Sequence, residues 1–403
     1  MIKCAPSPLL NHSRPHAIGR NAAALMYFSA EVAGGLADYA HQQASALSRL
    51  GVRVSLLAAP LVAESRAAVD YSLQPVLANP PDNSQTSARL VRWVRSARWV
   101  LNNVRSLANQ VRMCNARHVL MGSYFEYLAP LWASALRRLA RNGVVFGAVV
   151  HDPVRQTFVG PQWWQRSSVS AAYSFLREAF VHEAIELETV KPFPRLRTTV
   201  IPHGPYRFNP PSLTKTEVRQ TLGIPSNGLL MLSFGYIRDE KNLHLLLRSM
   251  RENPKCYLLV AGKELGSTQR SAAYYQHLAD ELGVANRCRW KLGFVPPEDV
   301  GNWFQASDLV LLTYSGRFRS ASGVLNAAIQ YRKPCLASAG KSNLRSAVER
   351  YRLGAWVEPD NAEALTRALA SLDTASMAPD WAGYERDNSW KKNAELVLKA
   401  MME

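Results

Sequence analysis

The chain has 403 residues, 47% of them hydrophobic, and 48 lysines and arginines against 31 aspartates and glutamates leave a formal net charge of +17. At roughly 150 residues per domain this length suggests two or three domains, and the apolar share is that of a chain burying real cores, which excludes intrinsic disorder and collagen-like structure. No run approaches the ~18 consecutive apolar residues of a membrane-spanning helix. The five cysteines, Cys4, Cys114, Cys256, Cys288 and Cys335, form no CxxC or Cys/His ligand spacing, so neither a disulfide framework nor a zinc site is expected. The charge leaves three partner classes open: nucleic acid, an anionic membrane surface or an anionic substrate.

The opening MIKCAPSPLLNHSRPHAIGR carries prolines and histidines where a secretory signal needs an apolar core. It reads as a loose arm, and the chain is expected to stay in the cytoplasm. Short β-branched or apolar runs then alternate with helical patterns. Strands are predicted at 24–29, 53–58, 118–121, 144–150, 180–182 and 199–201, then at 229–234, 256–261, 289–292, 309–313, 335–338 and 355–357. Separated by segments long enough for helical crossovers, they predict an α/β chain with two parallel, doubly wound sheets in two Rossmann-like domains. The stretch IPHGPYRFNPPS at 201–212 breaks both patterns and is read as the hinge. The expected domains are 1–206 and 207–375; the helical tail 376–403 either finishes the second domain or packs back across the hinge.

In SAEVAGGLADYA, Gly34 and Gly35 stand between the first strand and a helix running to about Leu50. Paired glycines there let the backbone approach a ligand at the positive end of a helix, or simply make a tight turn. The spacing is not GxGxxG, so no dinucleotide site is indicated. Over 89–117, Leu90, Trp93, Ala97, Val100, Leu101, Val104, Leu107 and Val111 fall on one side of a helical wheel, and Arg92, Arg95, Arg98, Arg105 and Arg112 on the other. This cationic, amphipathic helix either lies on an anionic bilayer or packs on its own domain with a solvated arginine face. Trp132, Arg137, Arg138, Arg141, Trp163, Trp164 and Arg166 add to the same half.

In VVHDPVRQ, His151 and Asp152 end an apolar strand, where open α/β sheets bind ligands. The histidine is either placed for chemistry or a structural hydrogen-bonding group. In LLSFGYIRDEKNLHLLLRSM a strand ends at Phe234, Gly235 opens a loop bearing Arg238 and Lys241, and an amphipathic helix follows with Leu243, Leu246, Leu247 and Met250. A planar guanidinium fork beside a compact ammonium suits a diphosphate, although Asp239 and Glu240 are available to pair with both. In LLTYSGRFRSASGVLNAAIQYRKPCLAS a small-residue loop at 320–323 leads into a helix beginning near Val324, again presenting amides to an anion. Two anion-friendly strand ends thus fall in one predicted sheet.

Taken together, GG after the first strand, IPHG at the hinge, FGxIRxxKN, LGFVPPEDVGNWFQASDLVLL and SGVLNAAxxxRKPxLAS resemble the family 4 retaining glycosyltransferases of the two-domain GT-B fold. The likeness runs from about residue 24 to 370 and is most specific in the second half. It implies a UDP-sugar or GDP-sugar donor held mainly by the second domain, an acceptor on the first, and no cofactor or metal. Its catalytic set is His151, Asp152, Arg238 and Lys241, the last two holding the diphosphate as leaving group. Gly235 and the amides at Ser322, Gly323, Val324 and Leu325 share the donor, Phe294 and Val295 border its base, and Gly34 and Gly35 close on its phosphates. Three positions depart from the family pattern. Tyr236 stands where many relatives carry the arginine, with Arg238 two residues on; Arg319 and Ala327 replace a pair of glutamates; and Arg332 replaces a glycine before Lys-Pro.

The resemblance, with the arginine-rich helix in the acceptor half, favours a glycan or polyprenyl-linked acceptor at an anionic membrane surface. No helix-turn-helix, RNP motif, zinc spacing or OB pattern supports nucleic acid. The expectation is a cytoplasmic hexosyltransferase of surface polysaccharide assembly, peripherally bound to the inner face of the membrane. The alternatives are a non-catalytic GT-B sugar-nucleotide-binding protein and a GT-B epimerase.

Overall fold

A computed structural model describes residues 24–403 apart from 66–69, 83–88, 124, 152, 154–159, 207, 266–268 and 320. The first domain runs β1 (Ala24–Phe28), α1 (Gly35–Arg49), β2 (Arg53–Leu57), α2 (Pro60–Ser65), β3 (Ser72–Gln74), α3 (Arg89–Met113), β4 (His118–Met121), α4 (Ala129–Arg141), β5 (Val145–Val149), α5 (Gln162–Tyr173), β6 (Glu178–Val181) and β7 (Arg197–Val200). The second runs α6 (Lys215–Thr221), β8 (Leu229–Phe234), α7 (Leu243–Glu252), β9 (Cys256–Gly262), α8 (Ala272–Glu281), β10 (Cys288–Leu292), α9 (Pro297–Ala306), β11 (Leu309–Thr313), α10 (Gly323–Gln330), β12 (Cys335–Ser338), α11 (Leu344–Arg350), β13 (Gly354–Trp356) and α12 (Ala362–Ser371). Two helices, α13 (Trp381–Asp387) and α14 (Trp390–Met402), close the chain.

The first sheet has strand order β3-β2-β1-β4-β5-β6-β7 and the second β10-β9-β8-β11-β12-β13, every pairing parallel. Both orders reverse once, between β1 and β4 and between β8 and β11, and crevices open at the carboxyl ends of strands at such reversals. Interior strands read as continuous apolar runs because helices cover both faces; every residue of β11, LVLLT, is buried. The edge strand β3, Ser-Leu-Gln, was not predicted, since three residues with one apolar side chain carry no strand signal. Glu178 sits fully buried in β6, where Arg197 pairs with one carboxylate oxygen and Thr199 Oγ1 donates to the other at 3.2 Å.

The tail departs from a single helix. Ser389 breaks it by capping α14, its side chain accepting from the Lys392 amide. Tyr384 on α13 packs in the second domain's core, whereas Trp390, Ala394, Val397 and Met401 on α14 pack into the first domain. Asn393 locks that crossing: its Nδ2 donates to Tyr39 Oη at 2.9 Å and to the Pro202 carbonyl at 2.8 Å, and its Oδ1 accepts from Gln43 Nε2 at 2.7 Å. At the far end Arg177 donates to the carbonyls of Ala400 and Met401 at 2.8 and 2.9 Å, satisfying acceptors that a helix terminus leaves unpaired.

The helix wheel of α3 needs one correction. Ala97, Val100, Val104, Leu107 and Val111 are buried as read, but Leu90 and Trp93 are exposed, because the first two turns run past the edge of the core. No helix among the described residues is long and apolar enough to cross a membrane. Cys114, Cys256, Cys288 and Cys335 are free thiols; the opening arm with Cys4 lies outside the described residues.

Candidate functional site at the facing strand ends

The reversal of the second sheet carries the strongest cluster. Gly235 follows β8 with φ +85°, a conformation that favours glycine, and its amide donates to the Ala261 carbonyl at 2.9 Å. A Cβ on Gly262 would lie 2.1 Å from the Gly235 carbonyl oxygen, so the ends of β8 and β9 touch as they do only because residue 262 has no side chain. Gly293 joins them, its amide donating to the Gly262 carbonyl at 3.1 Å. Beyond this knot Phe294 is 66% exposed and Val295 packs partly on the core, which puts an open aromatic face at the rim where the base was expected.

Lys241 is buried and its Nζ donates back to the Phe234 carbonyl. Burial, with the Arg238 charge adding to it, lowers its pKa to about 7. Arg238 lies over the stacked rings of Phe318 and Tyr314, 5.6 and 5.9 Å from their centroids, and pairs with Glu240 at 3.4 Å. Asp239 turns the other way, accepting from Tyr275 Oη at 2.8 Å and from the Arg270 amide at 3.2 Å.

Across from these cations stands α10. Tyr314 Oη and Ser322 Oγ are 2.9 Å apart, and Ser322 caps the helix by accepting from the Leu325 amide at 3.2 Å. A Cβ on Gly235 would lie 3.8 Å from Lys241 Nζ and 3.9 Å from Val324 Cγ2, so the turn, the ammonium and the first turn of α10 surround one small volume. The first domain reaches the same place. Gly34, at φ +83°, caps α1, and Tyr206 Oη donates to the Gly35 carbonyl at 3.2 Å while its ring lies 3.3 Å from where a Gly323 side chain would begin. Gly34, Gly35, Gly235, Arg238, Lys241, Ser322, Gly323, Val324 and Leu325 are therefore brought together, and Tyr206, unremarkable in the sequence, is what joins the two glycine loops.

His151 lies two residues past the end of β5, half-buried. Its Nε2 lies 3.1 Å from the Gly122 carbonyl, which only accepts, so Nε2 carries the proton and Nδ1 the lone pair. Burial first, then His182, lowers its pKa to about 3, which keeps the ring neutral. Asp152 lies outside the described residues. Sequence reasoning missed what surrounds His151: Tyr39, fully buried, touches the rings of His151, His182, His203 and Trp390 at centroid distances of 4.7, 5.3, 5.0 and 4.9 Å. His203, in the hinge, reaches Asn326 of α10, its Nδ1 2.9 Å from Asn326 Nδ2. Arg92, Arg95, Arg98 and Arg105 are exposed on α3, packed against one face of the first sheet rather than at its strand ends. Of the departures noted above, Ala327 is packed in the core and Arg319 is exposed. Among the described residues no group of three His, Cys, Asp or Glu side chains is placed to hold a metal ion.

Residues 214–401 match the family described as Glycosyl transferases group 1. The D-inositol 3-phosphate glycosyltransferase of Mycolicibacterium smegmatis is 28% identical over 202 residues, 47% of this chain and 43% of its own length. Its counterpart in Streptomyces coelicolor is 31% identical over 152 residues, 35% and 31% of the two chains. The chain thus spans less than half the length of these curated relatives. Among solved structures, Anabaena HepE in complex with UDP and glucose superposes with a TM-score of 0.65 at 16% identity, covering 94% of this chain and 98% of that one. WaaG, a glycosyltransferase involved in lipopolysaccharide biosynthesis, superposes with a TM-score of 0.61 at 15% identity, covering 94% and 99%. Two all-parallel Rossmann-like domains, facing each other at their strand ends and matched over nearly the whole chain, make this a GT-B fold.

Proposed function

We propose that the chain is a glycosyltransferase that moves a sugar from a nucleotide-diphosphate-sugar to a glycan or lipid-linked acceptor, with retention of configuration. The observation that carries this reading is the small volume bounded by Gly235, Lys241 and Val324, with Arg238 held beside it on the Tyr314 and Phe318 rings. Two cations and a helix N-terminus converge there at the reversal of the second sheet. Such an arrangement stabilises the negative charge that develops on a departing diphosphate without reorganising at the moment of reaction. The match of the second half to group 1 glycosyl transferases and the UDP bound by HepE support the same assignment. No metal is assigned in this reading; the charge is met by Arg238, Lys241 and the α10 amides. His151, neutral with its Nδ1 lone pair free of the Gly122 bond, serves as a hydrogen-bond acceptor beside the reacting sugar.

Surface polysaccharide assembly is the setting we favour, supported by the WaaG likeness and by arginines on an exposed helix of the first domain. The inositol phosphate acceptors named for the curated relatives support a second reading, in which the acceptor is a small phosphorylated polyol. Membrane binding by α3 belongs to the first reading.

Calorimetry with UDP and GDP tests the donor site. Arg238→Ala and Lys241→Ala each remove a charge-assisted hydrogen bond of roughly 1.5–3 kcal/mol, so each is expected to weaken nucleotide binding by about ten- to a hundredfold. Unchanged affinity in both variants would sink the assignment.

A further inference from the structure

His182 follows β6 at the carboxyl end of the first sheet and is 8% exposed. Its Nδ1 lies 3.2 Å from the Ile201 carbonyl oxygen, which only accepts, so Nδ1 carries the ring proton and Nε2 a lone pair. Nε2 is shielded from solvent, and among the described residues no hydrogen-bond donor reaches it. Leaving a buried acceptor unpaired is costly, and most folds avoid it by supplying a partner.

The surroundings define what that partner is. The ring sits 5.1 Å from His203, 5.3 Å from Tyr39 and 5.5 Å from His151, all uncharged groups. A lone pair among neutral rings repels an anion, and burial lowers the His182 pKa to about 4, so no imidazolium is available for a phosphate. A neutral hydroxyl is the chemistry that fits. The location narrows it further. His203 touches both Asn326 on α10, four residues past the capping Ser322, and Tyr206, which bridges Gly35 and Gly323. His182 therefore stands one ring behind the residues that border the proposed diphosphate site, and next to His151, assigned above to the reacting sugar. The second domain meets the backbone here: Asn343 Nδ2 donates to the His182 carbonyl at 2.9 Å and the Asn343 amide to Glu183 Oε2 at 2.7 Å, which places His182 at the seam between the domains.

We propose that His182 is a substrate-binding residue whose Nε2, reached when the domains part at this seam, accepts a hydrogen bond from a hydroxyl of the donor's sugar. This rests on the glycosyltransferase reading, and the experiment separates the two. Affinities of UDP, GDP and their hexose conjugates are measured by calorimetry for the wild type, His182→Gln, His182→Asn and His182→Phe. A glutamine amide reaches the Nε2 position, an asparagine amide only the Nδ1 position, and phenylalanine fills the volume without either. The wild type is expected to bind one hexose conjugate more tightly than its bare nucleotide. His182→Gln retains that gain, while the Asn and Phe variants lose roughly three- to tenfold of it, the worth of one neutral hydrogen bond, and keep the wild-type affinity for the bare nucleotide. In the wild type with nitrogen-labelled histidine, the Nε2 resonance of His182 is expected to move further with the sugar nucleotide than with the nucleotide alone, a readout that needs no variant to fold. Failure of every nucleotide to bind overturns the donor site itself. A bound nucleotide with no gain from the hexose, an undiminished gain in the Asn or Phe variant, or equal His182 resonances in the two complexes overturns the role of His182 alone.

Discussion

Lys241 joins burial to chemistry most directly. With its ammonium against the Phe234 carbonyl and its pKa lowered to about 7, it is half protonated near neutrality in the unliganded protein. A diphosphate favours the charged form, so binding above pH 7 must take up a proton. Affinity for UDP or GDP, whose terminal phosphate is fully ionised well above pH 7, is expected to fall by up to about tenfold per pH unit above pH 7, until the raised pKa of the bound state is reached. Calorimetry across pH 6–9, in buffers of differing ionisation enthalpy, reads both the slope and the proton uptake; a flat profile would remove Lys241 from the phosphates. Arg238, Lys241 and the glycines were legible as a motif because the residue types and the strand-loop-helix pattern are local. The Lys241 bond to Phe234 was not, since a lysine at a loop mouth reads as solvated until the fold turns it inward.

At the level of single elements, α3 divides in two. From Ala97 to Val111 its apolar face is core, while in its first turns Leu90, Val91, Trp93 and Val94 are exposed among Arg92, Arg95 and Arg98. Apolar and cationic side chains side by side on an exposed helix suit the interface of an anionic bilayer, where each arginine contributes about 1 kcal/mol at low salt. Replacing Arg92, Arg95 and Arg98 together by glutamine should lower partitioning onto phosphatidylglycerol vesicles by on the order of a hundredfold at low salt, and much less at high salt. Equal binding of the wild type to anionic and zwitterionic vesicles would rule out the membrane role of this face. The helix itself was readable from its 3.6-residue period. Which of its turns are covered was not, because that depends on where the neighbouring core ends.

For the molecule as a whole, the two domains are tied at a core of neutral histidines. Burial lowers the pKa of His151 to about 3 and of His182 to about 4, and holds His203 well below the usual histidine range. The unfolded chain protonates the same groups near pH 6.5. Between about pH 4 and 6.5 it therefore binds more protons than the folded state, and stability falls as the pH is lowered through that window, by about 1.4 kcal/mol per pH unit for each histidine, while above it these groups contribute no slope. Glu31 and Glu183, whose pKa values are raised by burial, act in the opposite sense above pH 4.5. The melting temperature is expected to drop steeply from pH 6.5 to 4.5 and to drop less in His182→Gln. A melting temperature constant over that range would show that the histidines are not held neutral in the folded protein.

Local pattern was enough for the α/β class, twelve of the thirteen strands among the described residues and the two loops whose glycines and cations form the proposed donor site. Period, turn chemistry and strand-end position are properties of short segments, and they survive in a single sequence. Tertiary structure decided the rest. Tyr206 meets Gly35 across 171 positions and Asn393 meets Tyr39 across 354, separations that leave no trace in any window of sequence. Gly262 is indispensable only because the Gly235 backbone passes where its side chain would be, and His182 stands out only because packing sets its unpaired nitrogen among the rings at the domain seam. Contacts between distant segments arise when apolar faces and polar groups must be buried together, and that requirement exists only once the chain has folded.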